Sequence, residues 1–167
     1  MLFRSLVTTA DGDAAPRLND AHFTPEDAAR HHASLLAEVV RMLCAGVVHG
    51  DLSEFNILLA DDGPVIIDLP QAVDAAGNNH ARSMLLRDVN NLRDFFGRFA
   101  PALLATAYGP EIWSLYERGL LRNDTALSGR FVGKAGPVDL GSVVREIADA
   151  KDEEAARRLR MQGPPSR

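Results

Sequence analysis

The stretch His49–Gln71, with the sequence HGDLSEFNILLADDGPVIIDLPQ, constrains the fold of this chain more than any other. Two apolar runs, residues 55–60 and 65–69, lie on either side of the tetrapeptide Asp-Asp-Gly-Pro. Short apolar runs joined by an Asp-Gly turn are typical of a β-hairpin. Two valines just before His49 predict a short buried strand that leads into a loop. The sequence therefore predicts a strand, a loop and a hairpin in immediate succession.

This succession brings three oxygen-bearing side chains towards one another. A hairpin returns its second strand beside its first, so Asp68 comes back close to Asn56. Asp51 lies in the loop that enters the hairpin. Mg²⁺ prefers one or two carboxylates, an amide oxygen, phosphate oxygens and water, and a further acid can hold a hydroxyl for in-line attack on a phosphoryl group. The pattern favours phosphoryl transfer.

A long helix is predicted before this stretch, with Thr24 as its N-cap and an end near Ala45. Apolar residues at spacings of three and four form one face of it: Ala29, Ala33, Leu36, Val40 and Leu43. The adjacent His31 and His32 diverge by about 100° around the helix, so they cannot share a metal ion. We expect both imidazoles to face solvent.

Helical patterns also dominate the second half of the chain. Apolar spacing predicts a helix over residues 81–99 and another over residues 138–160. A further helix between them contains Trp113 and ends at Gly119. Together with the small hairpin, these helices give an α+β fold that is mostly helical.

Composition narrows the class of protein. The chain has 167 residues, a net charge of −5 and 46% hydrophobic residues, which suits one soluble domain. The negative charge argues against a non-specific grip on nucleic acid or on an anionic membrane. Cys44 is the single cysteine, so no internal disulfide can form, and we predict a reducing cytoplasm. No apolar stretch approaches the roughly 20 residues that a membrane-spanning helix needs.

The order His49-Gly50-Asp51, then Asn56, then Asp68 resembles the catalytic loop and the metal-binding aspartate of protein kinases. Four departures narrow the resemblance. Gly50 stands where conventional kinases carry arginine, and Ser53 stands where they carry lysine. Leu-Pro-Gln follows Asp68 in place of Phe-Gly, and the next predicted helix begins too soon for an activation segment.

These departures together resemble the RIO family of atypical protein kinases. The matching segments are Leu52-Ser53-Glu54-Phe55-Asn56, Ile66-Ile67-Asp68 with Gln71, and Arg87-Asp88-Val89 with Asp94-Phe95-Phe96. The resemblance runs from residue 6 to about residue 154 and implies a kinase-like C-terminal lobe, whose hairpin carries the metal-site residues, with the N-terminal lobe absent. Residues 1–8 then form a hinge-like strand, residues 9–160 form the lobe, and residues 161–167 form a disordered tail.

The resemblance also implies a role for each site residue. Asp51 is the catalytic aspartate, and Asn56 and Asp68 hold Mg²⁺ or Mn²⁺. Ser53, Glu54, Asn56 and Asp68 together bind ATP. The implied activity is Mg-ATP-dependent phosphoryl transfer by a serine/threonine kinase or ATPase. The implied partners are a protein substrate or a ribosome-assembly particle.

The glycine-rich loop, strand lysine and helix glutamate of an upper kinase lobe are not found in this sequence. Positioning supplies nearly all of phosphoryl-transfer catalysis, so we expect the isolated chain to bind ATP poorly and to be weak or inactive. An exposed lobe interface near Leu2, Phe3 and Leu6 is expected to bind a separate upper lobe or a second copy, giving a dimer.

Two other functions fit the core motif. Small-molecule phosphotransferases of the aminoglycoside or choline type also use His-Gly-Asp, a downstream Asn and a later metal-binding Asp. The segments Ser53-Glu54-Phe55 and 87–96 favour the RIO family over these enzymes. A non-catalytic, kinase-like binding module is the other alternative.

Several polar residues near the motif have structural interpretations. His49 is interpreted as a buried organiser of the loop and not as a base. Arg87 and Asn91 are four residues apart on one helix, and Asp88 and Asn91 are three apart. We expect these three side chains to form a structural cluster that buttresses the catalytic loop.

Overall fold

The computed structural model describes residue 7 and residues 10–131. Its helices and strands are α1 (Pro25–Cys44), β1 (Val47–Val48), β2 (Ile57–Ala60), β3 (Gly63–Ile66), β4 (Val73–Asp74), α2 (Ala81–Gly97) and α3 (Tyr108–Glu117). Short 3-10 helices lie at Leu18–Asp20, Leu69–Gln71 and Pro101–Ala105. The mostly helical α+β arrangement is confirmed. Three predictions fall on residues that the structure does not describe. They are the hinge-like strand over residues 1–8, of which only residue 7 is described, the helix over residues 138–160 and the tail over residues 161–167.

The ends of α1 follow from its sequence. The Thr24 hydroxyl oxygen accepts a hydrogen bond of 3.1 Å from the Asp27 backbone N–H, and Pro25 occupies the first helical position. Gly46, with φ +83°, lies just beyond the helix in the left-handed conformation that ends many helices. Both predicted ends of α1 are therefore correct to within one residue.

The buried face of α1 differs from the predicted one in its N-terminal half. Ala29 and Ala33 are exposed, whereas Ala28 and His32 are buried. The expectation that His32 faces solvent was wrong, since this residue is only 1% exposed. The spacing of apolar residues was misleading here because alanine is found on both buried and exposed faces of helices. Ala29 and Ala33 fit the predicted face by spacing alone.

The His32 side chain on α1 lies against aromatic rings of α2 and α3. Its ring centroid is 5.8 Å from that of Phe96 and 5.6 Å from that of Tyr108. The buried Nε2 atom has no hydrogen-bond partner among the described residues. Burial lowers the pKa of His32 to about 4, because the charged imidazolium would lose its hydration there. At neutral pH His32 is therefore a neutral part of the core.

Helix α2 is the central element of the core. It packs against α1 and α3, and its buried apolar residues include Leu85, Val89, Leu92 and Phe96. None of the helices within the described part of the chain is long and apolar enough to cross a membrane.

The strands form two small antiparallel sheets. In the first, β2 and β3 form the predicted hairpin, with Ile57 opposite Ile66 and Ala60 opposite Gly63. Its loop is the pair Asp61-Asp62, so β3 begins earlier than the sequence suggested. The second sheet pairs β1 with β4, a contact that the sequence pattern did not predict.

The burial of His32 predicts a pH-dependent loss of stability. Its pKa is about 4 in the folded chain against an ordinary value of 6.5, so the unfolded chain binds more protons between these values. Stability present above pH 6.5 is then lost as the pH falls, by about 2 kcal/mol between pH 7 and pH 5. Urea unfolding at both pH values measures this term as the difference between the wild-type chain and His32→Leu.

His22 supplies the matched control, because it is an exposed histidine. His22→Gln is expected to keep the wild-type pH dependence. An unchanged pH dependence in His32→Leu would contradict the assignment.

Candidate active site

The loop between β1 and β2 is held by polar side chains of α2. The Asp88 carboxylate accepts a hydrogen bond of 2.8 Å from the Gly50 backbone N–H and one of 2.9 Å from the Leu52 N–H. The Asn91 side-chain amide donates to the Leu52 carbonyl at 3.0 Å, and Arg87 donates to the Gly50 carbonyl. These three side chains, the α2 cradle, satisfy four backbone groups that flank Asp51. Their predicted buttressing role is confirmed.

Asp88 is a buried acid, with 1% of its surface exposed. Burial raises the pKa of its carboxyl group to about 6, although the hydrogen bonds from Leu52 and Gly50 and the nearby His49 and Arg87 act in the opposite direction. The group is mainly ionised at pH 7, so both loop amides donate to a charged acceptor. Such charge-assisted bonds are stronger than neutral ones.

His49 joins the loop to the hairpin. It is 3% exposed, and its Nε2 atom lies 3.1 Å from the Ile67 carbonyl oxygen. Its Nδ1 atom accepts a hydrogen bond of 3.3 Å from the Asp51 backbone N–H. Both contacts are satisfied by the neutral tautomer with its proton on Nε2. The interpretation of His49 as a buried organiser of the loop is confirmed.

Gly50 is required by its backbone and by its surroundings. Its φ of +81° lies in the left-handed region, and a Cβ atom at this position would lie 2.9 Å from the Gln71 carbonyl oxygen. The side chain of Met84 would be 3.1 Å away. An arginine, as in conventional kinases, would not fit here without a change of the loop. The observed conformation of the loop therefore favours glycine at position 50.

Asn56 is fixed by contacts to both neighbouring segments. Its side-chain nitrogen donates a hydrogen bond of 2.7 Å to the Asp51 carbonyl oxygen. Its own carbonyl accepts one of 2.9 Å from the Ile67 N–H, which places residue 67 opposite residue 56 at the base of the hairpin. Because the amide nitrogen faces the loop, the Oδ1 atom is directed away from the Asp51 carbonyl. That oxygen is suited to act as a metal ligand.

Asp68 has an unusual backbone conformation. Its φ is 66° and its ψ is 62°. Among the residues that the structure describes, Asp68 is the one non-glycine residue with a positive φ. Such conformations are costly and are concentrated at functional sites. The Asp68 side chain is exposed. Asp68 comes directly after Ile67, the residue whose backbone is paired with Asn56.

The donor set fits a sparsely coordinated divalent cation. Within the described residues, no group of three or more His, Cys, Asp or Glu side chains could hold a metal ion. Mg²⁺ does not need such a cage, since it commonly takes one or two carboxylates and completes its shell with phosphate oxygens and water. The Asp68 carboxylate and Asn56 Oδ1 are the two groups predicted to provide this minimal set. Their joint coordination with Asp51 nearby stays a prediction.

Ser53 and Glu54 lie in the turn between Asp51 and Asn56. The Ser53 carbonyl accepts a hydrogen bond of 3.0 Å from the Asn56 N–H, and the Glu54 carboxylate lies 3.9 Å from the Arg98 guanidinium. Arg98 in turn lies 4.5 Å from the Phe95 ring centroid. The nucleotide contacts expected of Ser53 and Glu54 stay predictions.

Two glycines separate the cost of backbone conformation from the cost of crowding. Gly46 and Gly50 have nearly equal φ values, +83° and +81°, but a Cβ at position 46 meets nothing within 4 Å. We expect Gly46→Ala to destabilise the chain by about 1 kcal/mol and Gly50→Ala by about 3 kcal/mol. Urea unfolding of both variants measures the difference. Equal losses would show that the Gln71 carbonyl does not restrict position 50.

The α2 cradle can be tested at Asp88. Asp88→Ala leaves two buried amides without their acceptor. We expect the free energy of unfolding to fall by about 2 kcal/mol or more, even after the gain from removing a buried charge is included. Hydrogen exchange at Gly50 and Leu52 should accelerate more than in the rest of the loop. Asp94→Ala on the same helix is the matched control, because its exposed carboxylate pairs only with the neighbouring Arg93 in the described structure. Slow exchange at both amides in Asp88→Ala would contradict the cradle.

Comparison with known proteins agrees with the RIO resemblance. The sequence model of the RIO domain matches residues 1–108. Serine/threonine-protein kinase RIO1 of Caenorhabditis elegans is 37% identical over 97 residues, which cover 57% of this chain and 19% of that protein. The corresponding kinase of Chaetomium thermophilum is 39% identical over 108 residues, which cover 59% of this chain and 20% of that protein.

An archaeal relative extends the comparison. RIO-type serine/threonine-protein kinase Rio1 of Haloferax volcanii is 39% identical over 99 residues, which cover 59% of this chain and 32% of that protein. The chain thus spans between 19% and 32% of the length of these relatives. The family match itself covers more than half of the chain. On this match, together with the loop, hairpin and helix that carry its motifs, the chain belongs to the RIO domain family.

Proposed function

We propose that this chain performs the phosphoryl-transfer chemistry of a RIO-type serine/threonine protein kinase or ATPase, with Mg-ATP or Mn-ATP as the donor. Membership of the RIO domain family supports this function, as do relatives named serine/threonine-protein kinases. The observation that carries the proposal is the position of Asn56. Its side chain binds the Asp51 carbonyl, and its backbone pairs with Ile67, the residue before Asp68.

Each residue has a distinct task in this proposal. The Asp51 carboxylate orients the acceptor hydroxyl or water and accepts its proton as the new bond to the γ-phosphorus forms and the bond from that phosphorus to the leaving ADP breaks. Asn56 Oδ1 and the Asp68 carboxylate hold the divalent cation, and Ser53 and Glu54 lie against the nucleotide. The cation supplies neutralisation of the charge on the phosphate oxygens. The α2 cradle keeps Asp51 in place without contacting the substrate.

The proposal extends to the setting of the site. In it the described residues form a kinase-like C-terminal lobe, and groups that clamp the phosphates come from a separate lobe. Without these groups the isolated chain binds ATP weakly and has little or no turnover. The proposed acceptor is a protein hydroxyl, with a ribosome-assembly particle as the family-based partner and the cytoplasm as the compartment.

Paramagnetic Mn-ATP tests the metal site even at weak affinity. In nitrogen-15 spectra of the full chain, we expect Mn-ATP to broaden the amides of Asn56 and Asp68 first. Asp68→Asn removes the ligating charge. The Mn-ATP concentration needed for the same broadening should then rise by about tenfold or more. Asp51→Asn should leave the broadening in place, because Asp51 is proposed to act on the acceptor and not on the metal.

Asp62→Asn is the matched control, since Asp62 is an exposed carboxylate at the far end of the same hairpin. It should leave the titration unchanged. Broadening centred elsewhere, or an equal loss in Asp62→Asn and Asp68→Asn, would refute the proposed metal site.

A further inference from the structure

An apolar groove lies on the side of β3 that faces the C-terminal end of α1. Its volume is about 500 Å³, a size common among binding sites. Its wall includes Met42, Val47, Val65, Ile66 and Leu69, with Glu38 as the charged side chain. Leu69 is 52% exposed, which is high for a large apolar side chain. We refer to this feature as the α1–hairpin groove.

The strand at this groove presents its outer edge. The Leu59 N–H on β2 donates to the Pro16 carbonyl at 2.8 Å, so residue 59 directs its backbone groups away from β3. Its partner in the ladder is Pro64. In an antiparallel pair this alternation applies to both strands, so the carbonyl of Pro64 and both backbone groups of Ile66 point away from β2. The outer edge of β3 can therefore bind an extended backbone.

The charges near the groove are mainly acidic. Asp61 and Asp62 form the hairpin turn that begins β3, and Glu38 lies in the groove wall. Arg41 contacts Glu38 on the surface of α1 and neutralises part of this charge. The whole chain carries a net charge of −5. A second copy would bring the same carboxylates to the groove, whereas a basic partner would complement them.

We propose that the α1–hairpin groove binds an extended segment of a partner polypeptide that alternates apolar and basic side chains. The apolar side chains enter the groove beside Met42 and Leu69. The backbone pairs with Ile66 and adds a third strand to the hairpin. The alternate lysine or arginine side chains point out of the groove and lie near the Asp61-Asp62 turn. This binding site does not use the residues proposed for phosphoryl transfer.

A labelled hexapeptide, Lys-Val-Lys-Ile-Lys-Val, is the probe for this site. Fluorescence anisotropy with the full chain should show saturable binding that weakens as salt is added. Met42→Glu places a charge in the groove and should weaken binding by about tenfold or more, and Leu69→Ser should act in the same direction. Leu120→Glu is the matched control, because Leu120 is an exposed leucine, 54% accessible, that is not part of the groove wall.

Two further peptides separate the components of recognition. The peptide Glu-Val-Glu-Ile-Glu-Val should bind at least about tenfold more weakly, because its carboxylates repel those of Glu38 and the Asp61-Asp62 turn. N-methylation of the central amides should weaken binding if the backbone pairs with Ile66. Circular dichroism of Met42→Glu and Leu69→Ser establishes that both variants fold.

Several outcomes would overturn the proposal. These are no saturable binding of the basic peptide up to millimolar concentration, equal binding of the acidic peptide, or full binding by the folded groove variants. Self-association of the chain that Met42→Glu abolishes would assign the groove to a second copy and would overturn it as well.

Discussion

The contact between the Asp88 carboxylate and the loop amides is the interaction on which the candidate site depends. Gly50 and Leu52 lie outside the sheets, so their backbone groups need partners from elsewhere, because buried unpaired amides are costly. Asp88 supplies both N–H groups with one acceptor that is held in the core. Its position follows from the packing of α2 between α1 and α3. The hydrophobic core thereby sets the position of Asp51.

The hairpin is tied to the same framework by its last paired residue. The Ile67 N–H donates to the Asn56 carbonyl, and the Ile67 carbonyl lies within hydrogen-bond distance of His49. Both backbone groups of this residue are thus fixed just before the chain enters the left-handed conformation of Asp68. The strained residue begins from a rigid point, and surrounding structure of this kind is needed to maintain such a conformation. Asp51 and Asp68 are consequently positioned by one connected set of hydrogen bonds.

The sequence predicted the elements that depend on local signals. Thr24 and Pro25 defined the start of α1, and the Asp-Gly turn signal identified the hairpin, because caps and turns are properties of a few adjacent residues. The spacing of Arg87, Asp88 and Asn91 even identified the support of the loop. The antiparallel pairing of β1 with β4 was not predicted, since two-residue strands leave almost no periodicity to detect.

Burial of polar residues was also outside the reach of the pattern. His32 was predicted to face solvent, yet its ring packs against the aromatic rings of Phe96 and Tyr108. The Gln71 carbonyl that excludes a side chain at Gly50 comes from a separate segment, so a sequence motif shows the glycine without its reason. The roles of Ser53 and Glu54 rest on resemblance alone, because neither spacing nor the local contacts distinguish a nucleotide ligand from an ordinary turn residue.

Strand β3 connects the two surfaces of the hairpin through the alternation of its backbone. Val65 pairs inwards with Leu58, and Ile67 pairs inwards with Asn56 at the candidate site. Ile66, between them, directs its backbone outwards to the α1–hairpin groove. A two-stranded hairpin is marginally stable by itself, and a third strand at Ile66 would restrict the motion of the residues on either side. Occupation of the groove would then stiffen Ile67, and with it the point from which Asp68 turns towards the proposed metal.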